Sequence, residues 1–212
     1  MLFIFSVFLN SCMMVLGNFE NITLNDFRWV NEPSEWSLRD NALEVTTDNN
    51  TDFWQKTYYD FHRNTGHIFG VEIVDDFTFT ACIEANFTTL YDQAGLMIYV
   101  DEKHWLKAGI EYNDGLPMIG SVNTNEVSDW GTGVFTGNPR KFYLRLSKVD
   151  KVVCVKYSTD NVTWTLLCLA PFAKADKYIV GPMTCTPQRE GLKVKFSDIK
   201  ITEPADDILH AN

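Results

Sequence analysis

Apolar residues recur at every second position in one segment after another. Phe77, Phe79, Ala81, Ile83 and Ala85 alternate with polar neighbours, the period-two signature of a half-buried strand. Phe142, Leu144 and Leu146 repeat the pattern, as do Leu192, Val194 and Phe196. Trp36-Ser37-Leu38 and Ala42-Leu43-Glu44-Val45 flank a turn at Arg39-Asp40-Asn41, and residues 152–169 read as a further hairpin. Asn113-Asp114-Gly115 marks another turn, because Asp-Gly tolerates the positive φ angles that tight hairpins need. No apolar stripe of helical period persists beyond a couple of turns. Regularly spaced strands separated by turn signals predict an all-β protein, a two-sheet antiparallel β-sandwich of jelly-roll type.

Residues 91–130 carry the most information. Folding the chain about Asp101-Glu102-Lys103, with Val100 opposite His104, sets Ile98 against Leu106, Leu96 against Ala108 and Ala94 against Ile110. The other face then stacks Tyr99 on Trp105, Met97 on Lys107 and Gln93 on Glu111. The first set suits a core; the second is chemically mixed and predicts a surface that holds something. The alternative is that this face packs against a loop or a second subunit, since aromatic cross-strand pairs also stabilise sheets. Gly95 and Gly109 fall opposite each other in this register, which predicts a bend and hence a concave face.

Two segments break the alternation. Residues 48–66 (DNNTDFWQKTYYDFHRNTG) are aromatic-rich, and residues 123–139 are rich in Gly, Thr and Asn around Ser128-Asp129-Trp130. Long irregular loops inside a compact domain are uncommon unless they serve a function. The expected organisation is an apolar leader over 1–17, one sandwich domain over 18–203 and a flexible tail over 204–212. The leader has two readings. Leu2–Leu9 resembles the apolar part of a secretory signal, with cleavage after Gly17, but no Lys or Arg precedes it. Alternatively Met13-Met14 starts a shorter cytosolic chain. The run is too short to span a bilayer, so no transmembrane segment is expected.

Composition narrows the partners. A net charge of −10 and a pI near 4.8, with no basic run, argue against nucleic acid and anionic membranes. Four Asn-x-Ser/Thr sites, at Asn21, Asn49, Asn86 and Asn161, fit secretion. The cysteines point the other way. Pairing Tyr157 with Trp164 sets Val153 opposite Cys168 and Leu167 opposite Cys154, so the two thiols face opposite sides and cannot bridge. Free thiols favour a reducing compartment, and a cytoplasmic location is preferred to secretion. The scattered histidines and the absence of C-x-x-C spacing give no metal site, and no cofactor is expected.

The run TDFWQKTYYDF with Gly66-His67, then YDQAGLMIYVDEKHWLKAGIEY and VSDW, resembles the family of unknown function named after a yeast regulator of enolase. The framing pieces EPSEWSLRDNALEV and VKFSDIKI are similar to those of the concanavalin A-like lectin and glucanase superfamily. The likeness covers about residues 27–202. It implies a concanavalin A-like jelly roll with first and last strands side by side, and a mostly unsecreted family; for function it implies little.

Retaining glycosidases need two carboxylates about 5–5.5 Å apart. The superfamily resemblance implies a strand of the form E-x-D-x-x-E for them, and none occurs. Glu111 lies beside Lys107, and an adjacent ammonium is expected to hold a carboxylate pKa low, a poor general acid. No G-x-S-x-G is present. Stacking rings together with hydrogen-bonding side chains fit a non-catalytic binding module for a carbohydrate or similar polar ligand. The candidate ligand-binding residues are Trp54, Tyr91, Gln93, Tyr99, Trp105, Lys107, Glu111, Asp129 and Trp130, with no catalytic residue assigned. A protein-interaction or regulatory module is the alternative, since Trp- and Tyr-rich patches also form hot spots; a glycosidase-like enzyme is third.

Overall fold

A computed structural model describes residues 19–211; the expected leader and its cleavage site lie outside the described residues. Two short 3-10 turns, Phe19–Asn21 and Leu24–Asp26, precede the strands. In chain order these are β1 (Arg28–Val30), β2 (Glu35–Arg39), β3 (Ala42–Thr46), β4 (Phe53–Gln55), β5 (His62–Asn64) and β6 (His67–Ile73). Then follow β7 (Phe77–Ala85), β8 (Gln93–Asp101), β9 (His104–Asn113), β10 (Leu116–Asn125), β11 (Val127–Ser128) and β12 (Gly131–Val134). The last five are β13 (Lys141–Val149), β14 (Val152–Ser158), β15 (Thr165–Pro171), β16 (Tyr178–Cys185) and β17 (Lys193–Thr202). Among the described residues no helix is long and apolar enough to cross a membrane.

The strands form two large antiparallel sheets. The first runs β1-β6-β16-β8-β9-β10-β11, with β12 also on β10, and the second runs β15-β14-β13-β7-β17-β3-β2. This is the jelly-roll sandwich that the alternation predicts, and β3 and β17, from the two framing pieces, lie side by side. Phe77, Phe79, Ile83, Phe142, Leu144, Leu146, Val194 and Phe196 from the second sheet meet Leu96, Ile98, Leu106 and Ile110 from the first in one buried core. Each buried side chain of this size contributes about 1.5–3 kcal/mol, so the alternating positions supply the bulk of the driving force. The turn residues Asp40, Asn41, Asp114 and Gly115 all have positive φ, from 50° to 79°, as two-residue hairpins of the favoured hand require.

The β8–β9 pairing follows the expected register from Gln93↔Glu111 through Gly95↔Gly109 to Tyr99↔Trp105. It departs at the tip: Asp101, not Val100, pairs with His104, because a bulge leaves Val100 out of register. At Gly95 a Cβ would stand 1.9 Å from the Ala108 carbonyl oxygen, and one on Gly109 would stand 2.2 Å from that of Ala94. No side chain fits there, which is why both positions are glycine.

Two further expectations are corrected. In the β14–β15 hairpin Tyr157 pairs with Thr165, and after a bulge Val155 pairs with Cys168 and Cys154 with Leu169. The register is shifted, yet Cys168 still shares the face of Val155 while Cys154 takes the other; Cys82, Cys154, Cys168 and Cys185 are free. The segment 123–139 is not a plain loop, since β11 and β12 both fold back on β10. The segment after β17, expected to be a flexible tail, makes contacts with the second sheet. The buried Lys156 donates to the Ala211 carbonyl at 2.7 Å, and the Cys154 thiol contacts the Ile208 carbonyl at 3.6 Å.

Candidate functional site: an aromatic-walled cavity

The far face of the first sheet, turned away from the sandwich core, is partly covered by residues 48–66. This strap forms the separate β4–β5 hairpin, in which Trp54 pairs with Arg63. Phe53 and Trp54 pack on Met97, Tyr99, Trp105, Ile68, Val122, Met183 and Cys185 in a second buried cluster. Gly66 is required beneath the strap, because a Cβ there would stand 2.2 Å from the Phe53 ring. Thr65 and Gly66 donate their backbone N–H groups to the Asp52 carbonyl at 2.9 and 3.0 Å, closing the base of the hairpin.

The strap explains why two of the expected ligand-binding residues are not ligand-facing. Trp105 has no exposed surface and Tyr99 is 8% exposed; both lie in the second cluster rather than in a groove. The Trp105 indole N–H donates to the Glu102 carbonyl at 3.1 Å, and Tyr99 Oη accepts from Asn64 at 3.4 Å. Asp129 serves the β10–β11 turn: its exposed carboxylate accepts the backbone N–H of Asn123 at 2.9 Å.

The other six candidates meet. Trp54, Tyr91, Gln93, Lys107, Glu111 and Trp130 line one cavity of about 390 Å³ between strap and sheet, within the range of small-ligand sites. Its wall is a chain of edge-on rings: Trp54 to Tyr59 at 5.8 Å, Trp54 to Trp130 at 6.4 Å and Trp130 to Tyr91 at 6.5 Å. Tyr59 continues to Phe61 at 5.5 Å, stacked, and the Arg63 guanidinium lies 5.6 Å from the Phe61 ring centre. Tyr59 and Tyr91 also share a hydroxyl hydrogen bond at 3.2 Å, and this bond, with burial, pushes the Tyr91 phenol up to about 12.

The polar floor is organised by Lys107. Its buried ammonium donates to Asp52 Oδ1 at 3.2 Å and to Gln93 Oε1 at 2.9 Å. Burial lowers the Lys107 pKa, but the surrounding acidic groups, Asp52 foremost with Cys185 and Glu111, together outweigh it and the net shift is upward. Glu111 behaves differently. Burial pushes its carboxyl up to about 7, against the pull of Lys107 and with the help of the Asp52 charge. The expectation of a low Glu111 pKa therefore fails, because burial outweighs the attraction of the Lys107 ammonium, which donates its hydrogen bonds to Asp52 and Gln93. Among the described residues the Glu111 carboxyl makes no hydrogen bond.

Tyr91 sits in the left-handed region, at φ 63°, a costly conformation for a bulky residue. The neighbouring Asp92 fixes it. This fully buried carboxylate accepts Thr88 and Thr89 N–H at 2.9 and 3.0 Å and a two-pronged contact from Arg189 at 2.8 and 2.6 Å. The same clamp holds Pro187 and Gln188 at the cavity edge. Sequence reasoning missed Asp52, Tyr59, Phe61, Arg63 and the Asp92–Arg189 clamp. The aromatic density of residues 48–66 was a usable signal for the first four; nothing in the sequence pattern marks the clamp. Among the described residues no three His, Cys, Asp or Glu side chains gather to hold a metal ion.

Known proteins resemble the chain at two levels. "Regulation of enolase protein 1" of Saccharomyces cerevisiae is 45% identical over 191 residues, 90% of this chain and 96% of that protein. A solved structure of a functionally unknown Saccharomyces cerevisiae protein superposes with a TM-score of 0.85 at 45% identity, over 87% of this chain and all of that one. More distant structures share the fold alone. A GH43 protein of Bacillus licheniformis reaches a TM-score of 0.69 at 16% identity, over 88% of this chain and 39% of its own. The carbohydrate binding module CBM66 of Bacillus subtilis reaches 0.52 at 10% identity, over 86% of this chain and 98% of its own. The profile of one family matches residues 29–204, and the chain belongs to that family, the proteins of unknown function designated DUF1349.

Proposed function

We propose that the chain is a non-catalytic binding module that holds a carbohydrate in the cavity between strap and first sheet. The observation that carries this reading is the joining, in one open cavity, of an aromatic wall to a polar floor. Trp130 and Tyr59, 36% and 44% exposed, offer ring surface to the C–H face of a sugar. Gln93, Lys107 and Glu111 offer hydrogen bonds to its hydroxyls. The named carbohydrate binding module with the same fold is in keeping with it. A glycan array probed with the wild-type chain and with Trp130→Ala tests the reading. Binding by the wild type that is lost in a folded variant supports it; an empty array, or hydrolysis of a bound glycan, counts against it.

A protein partner is the second reading, favoured by Tyr58 at the tip of the strap, which is 93% exposed, and by the name of the yeast relative. Affinity capture comparing wild type with Tyr58→Ser separates the two. A single protein lost with Tyr58→Ser, while glycan binding is absent, would favour the partner.

A further inference from the structure

Two acceptors of the cavity are engaged: Asp52 Oδ1 takes Lys107 and the Phe53 backbone N–H at 3.2 and 2.8 Å, and Gln93 Oε1 takes Lys107 at 2.9 Å. An ammonium accepts no hydrogen bond, so the Lys107 contact also fixes which end of the Gln93 amide is oxygen. The Glu111 carboxyl is free of hydrogen bonds among the described residues, and several donors are free as well. Lys107 carries three N–H groups and two are used; the Gln93 amide N–H pair makes no hydrogen bond among the described residues. Arg63 has no carboxylate partner among the described residues and is held only over the Phe61 ring, opposite Trp54 in the β4–β5 pair. In a chain of net charge −10, the largest set of free donors in this cavity is thus a planar guanidinium suited to two-pronged recognition of a carboxylate or phosphate.

We infer that the ligand of this cavity is a sugar bearing an acidic group, whose anionic oxygens lie against Arg63 while its ring stacks on the aromatic wall. The inference rests on the carbohydrate reading above. Glu111 fits the same picture, since in its acid form it donates a hydrogen bond instead of repelling the anion. The charged and titratable groups facing it are Lys107 on its own strand, Asp52 ahead of β4, Arg63 on β5, Tyr91 ahead of β8 and Cys185 on β16. With its carboxyl pushed up to about 7 by burial, an anion is accepted more readily below neutrality than above it.

Isothermal titration of the full chain with glucuronate, glucose 6-phosphate and glucose, at pH 6 and pH 8, tests this. At pH 6 one of the two acids should bind about tenfold or more tightly than glucose, in line with charge-assisted hydrogen bonding, and the preference for glucuronate, ionised at both pH values, should shrink at pH 8. Which acid is preferred identifies carboxylate or phosphate as the group read. In Arg63→Gln, checked for folding by thermal melt, the acid-to-neutral ratio should collapse to about twofold or less. Equal binding of all three by the wild type, or an unchanged ratio in a folded Arg63→Gln, overturns the acidic ligand and leaves the carbohydrate reading standing. If Arg63→Gln does not fold, the wild-type ratio decides alone. No binding of any sugar at either pH overturns the carbohydrate reading itself.

Discussion

The β8–β9 hairpin presents one face that splits into two regions of opposite character. Near its tip, Met97, Tyr99 and Trp105 are buried beneath Phe53 and Trp54 of the strap. Toward its base, Gln93, Lys107 and Glu111 open into the cavity. The strands, the register and the side-chain direction are the same in both regions. What differs is the cover. The strap lays apolar rings on the tip; at the base it stands off, walling a cavity with Tyr59, Phe61 and Arg63 while Asp52 meets Lys107. Direction alone therefore does not make a cavity; the covering segment decides which half becomes core and which stays open.

The comparison breaks first at Trp105. If the tip is core, Trp105→Ala should destabilise the chain by about 3–5 kcal/mol, as large-to-small aromatic changes in cores do, with a loss like that of Leu96→Ala on the sandwich side. Urea unfolding measures it. A folded Trp105→Ala that loses only ligand would return Trp105 to the groove.

Lys107→Ala should come next. It lies at the boundary, and its removal leaves Asp52, whose side chain is 16% exposed, without its counter-charge. Breaking a buried pair costs about 3–5 kcal/mol, and the partial exposure of Asp52 puts this variant at the low end. A loss below about 0.5 kcal/mol, the level of an ordinary surface change, would show that the floor is organised without it.

Much of this was legible in the sequence, and the part that was not has a physical reason. Period-two alternation fixes which residues share a face, so Leu96, Ala108 and Ile110 are placed in the core by pattern alone, and Gln93↔Glu111 follows from the register. Alternation carries no information about what covers a face. Tyr99 and Trp105 were therefore indistinguishable in the sequence from Lys107 and Glu111. The bulges at Val100 and between Val155 and Lys156 each involve one residue with no compositional mark, and they shift a register without changing the pattern. The Asp92–Arg189 clamp joins residues 97 positions apart, a pairing that no local signal announces.

The base of the hairpin sharpens the comparison through pH. In the unfolded chain Glu111 titrates near the ordinary 4.5, and in the folded chain near 7. Between those values the folded state holds a proton that the unfolded state has lost, so stability falls as pH rises from about 4.5 to about 7. The difference corresponds to about 3 kcal/mol at roughly 1.4 kcal/mol per pKa unit. Glu111→Gln should remove this decline, giving a flatter stability profile and a gain over wild type above pH 7. Denaturant midpoints across the range measure it; an identical slope in both proteins would mean that Glu111 is solvated and the floor is wetter than its burial implies.

The smallest stability effect belongs to the residue with the largest expected effect on binding. Trp130 stands at the open edge of the cavity, 36% exposed, with edge contacts to Trp54 and Tyr91 but no place in the second cluster. Losing such ring contacts costs about 0.5–1.5 kcal/mol, so Trp130→Ala should melt close to wild type while Trp105→Ala does not. The two tryptophans thus form a matched pair for the test: one is expected to carry the fold and the other the proposed site. If Trp130→Ala unfolds the chain as Trp105→Ala does, the ring chain of the cavity wall is core as well, and the boundary between the two regions must be redrawn at Lys107 and Glu111. If it leaves the melt unchanged and removes glycan binding, the open half of the face is the binding surface and the strap's rings are its rim.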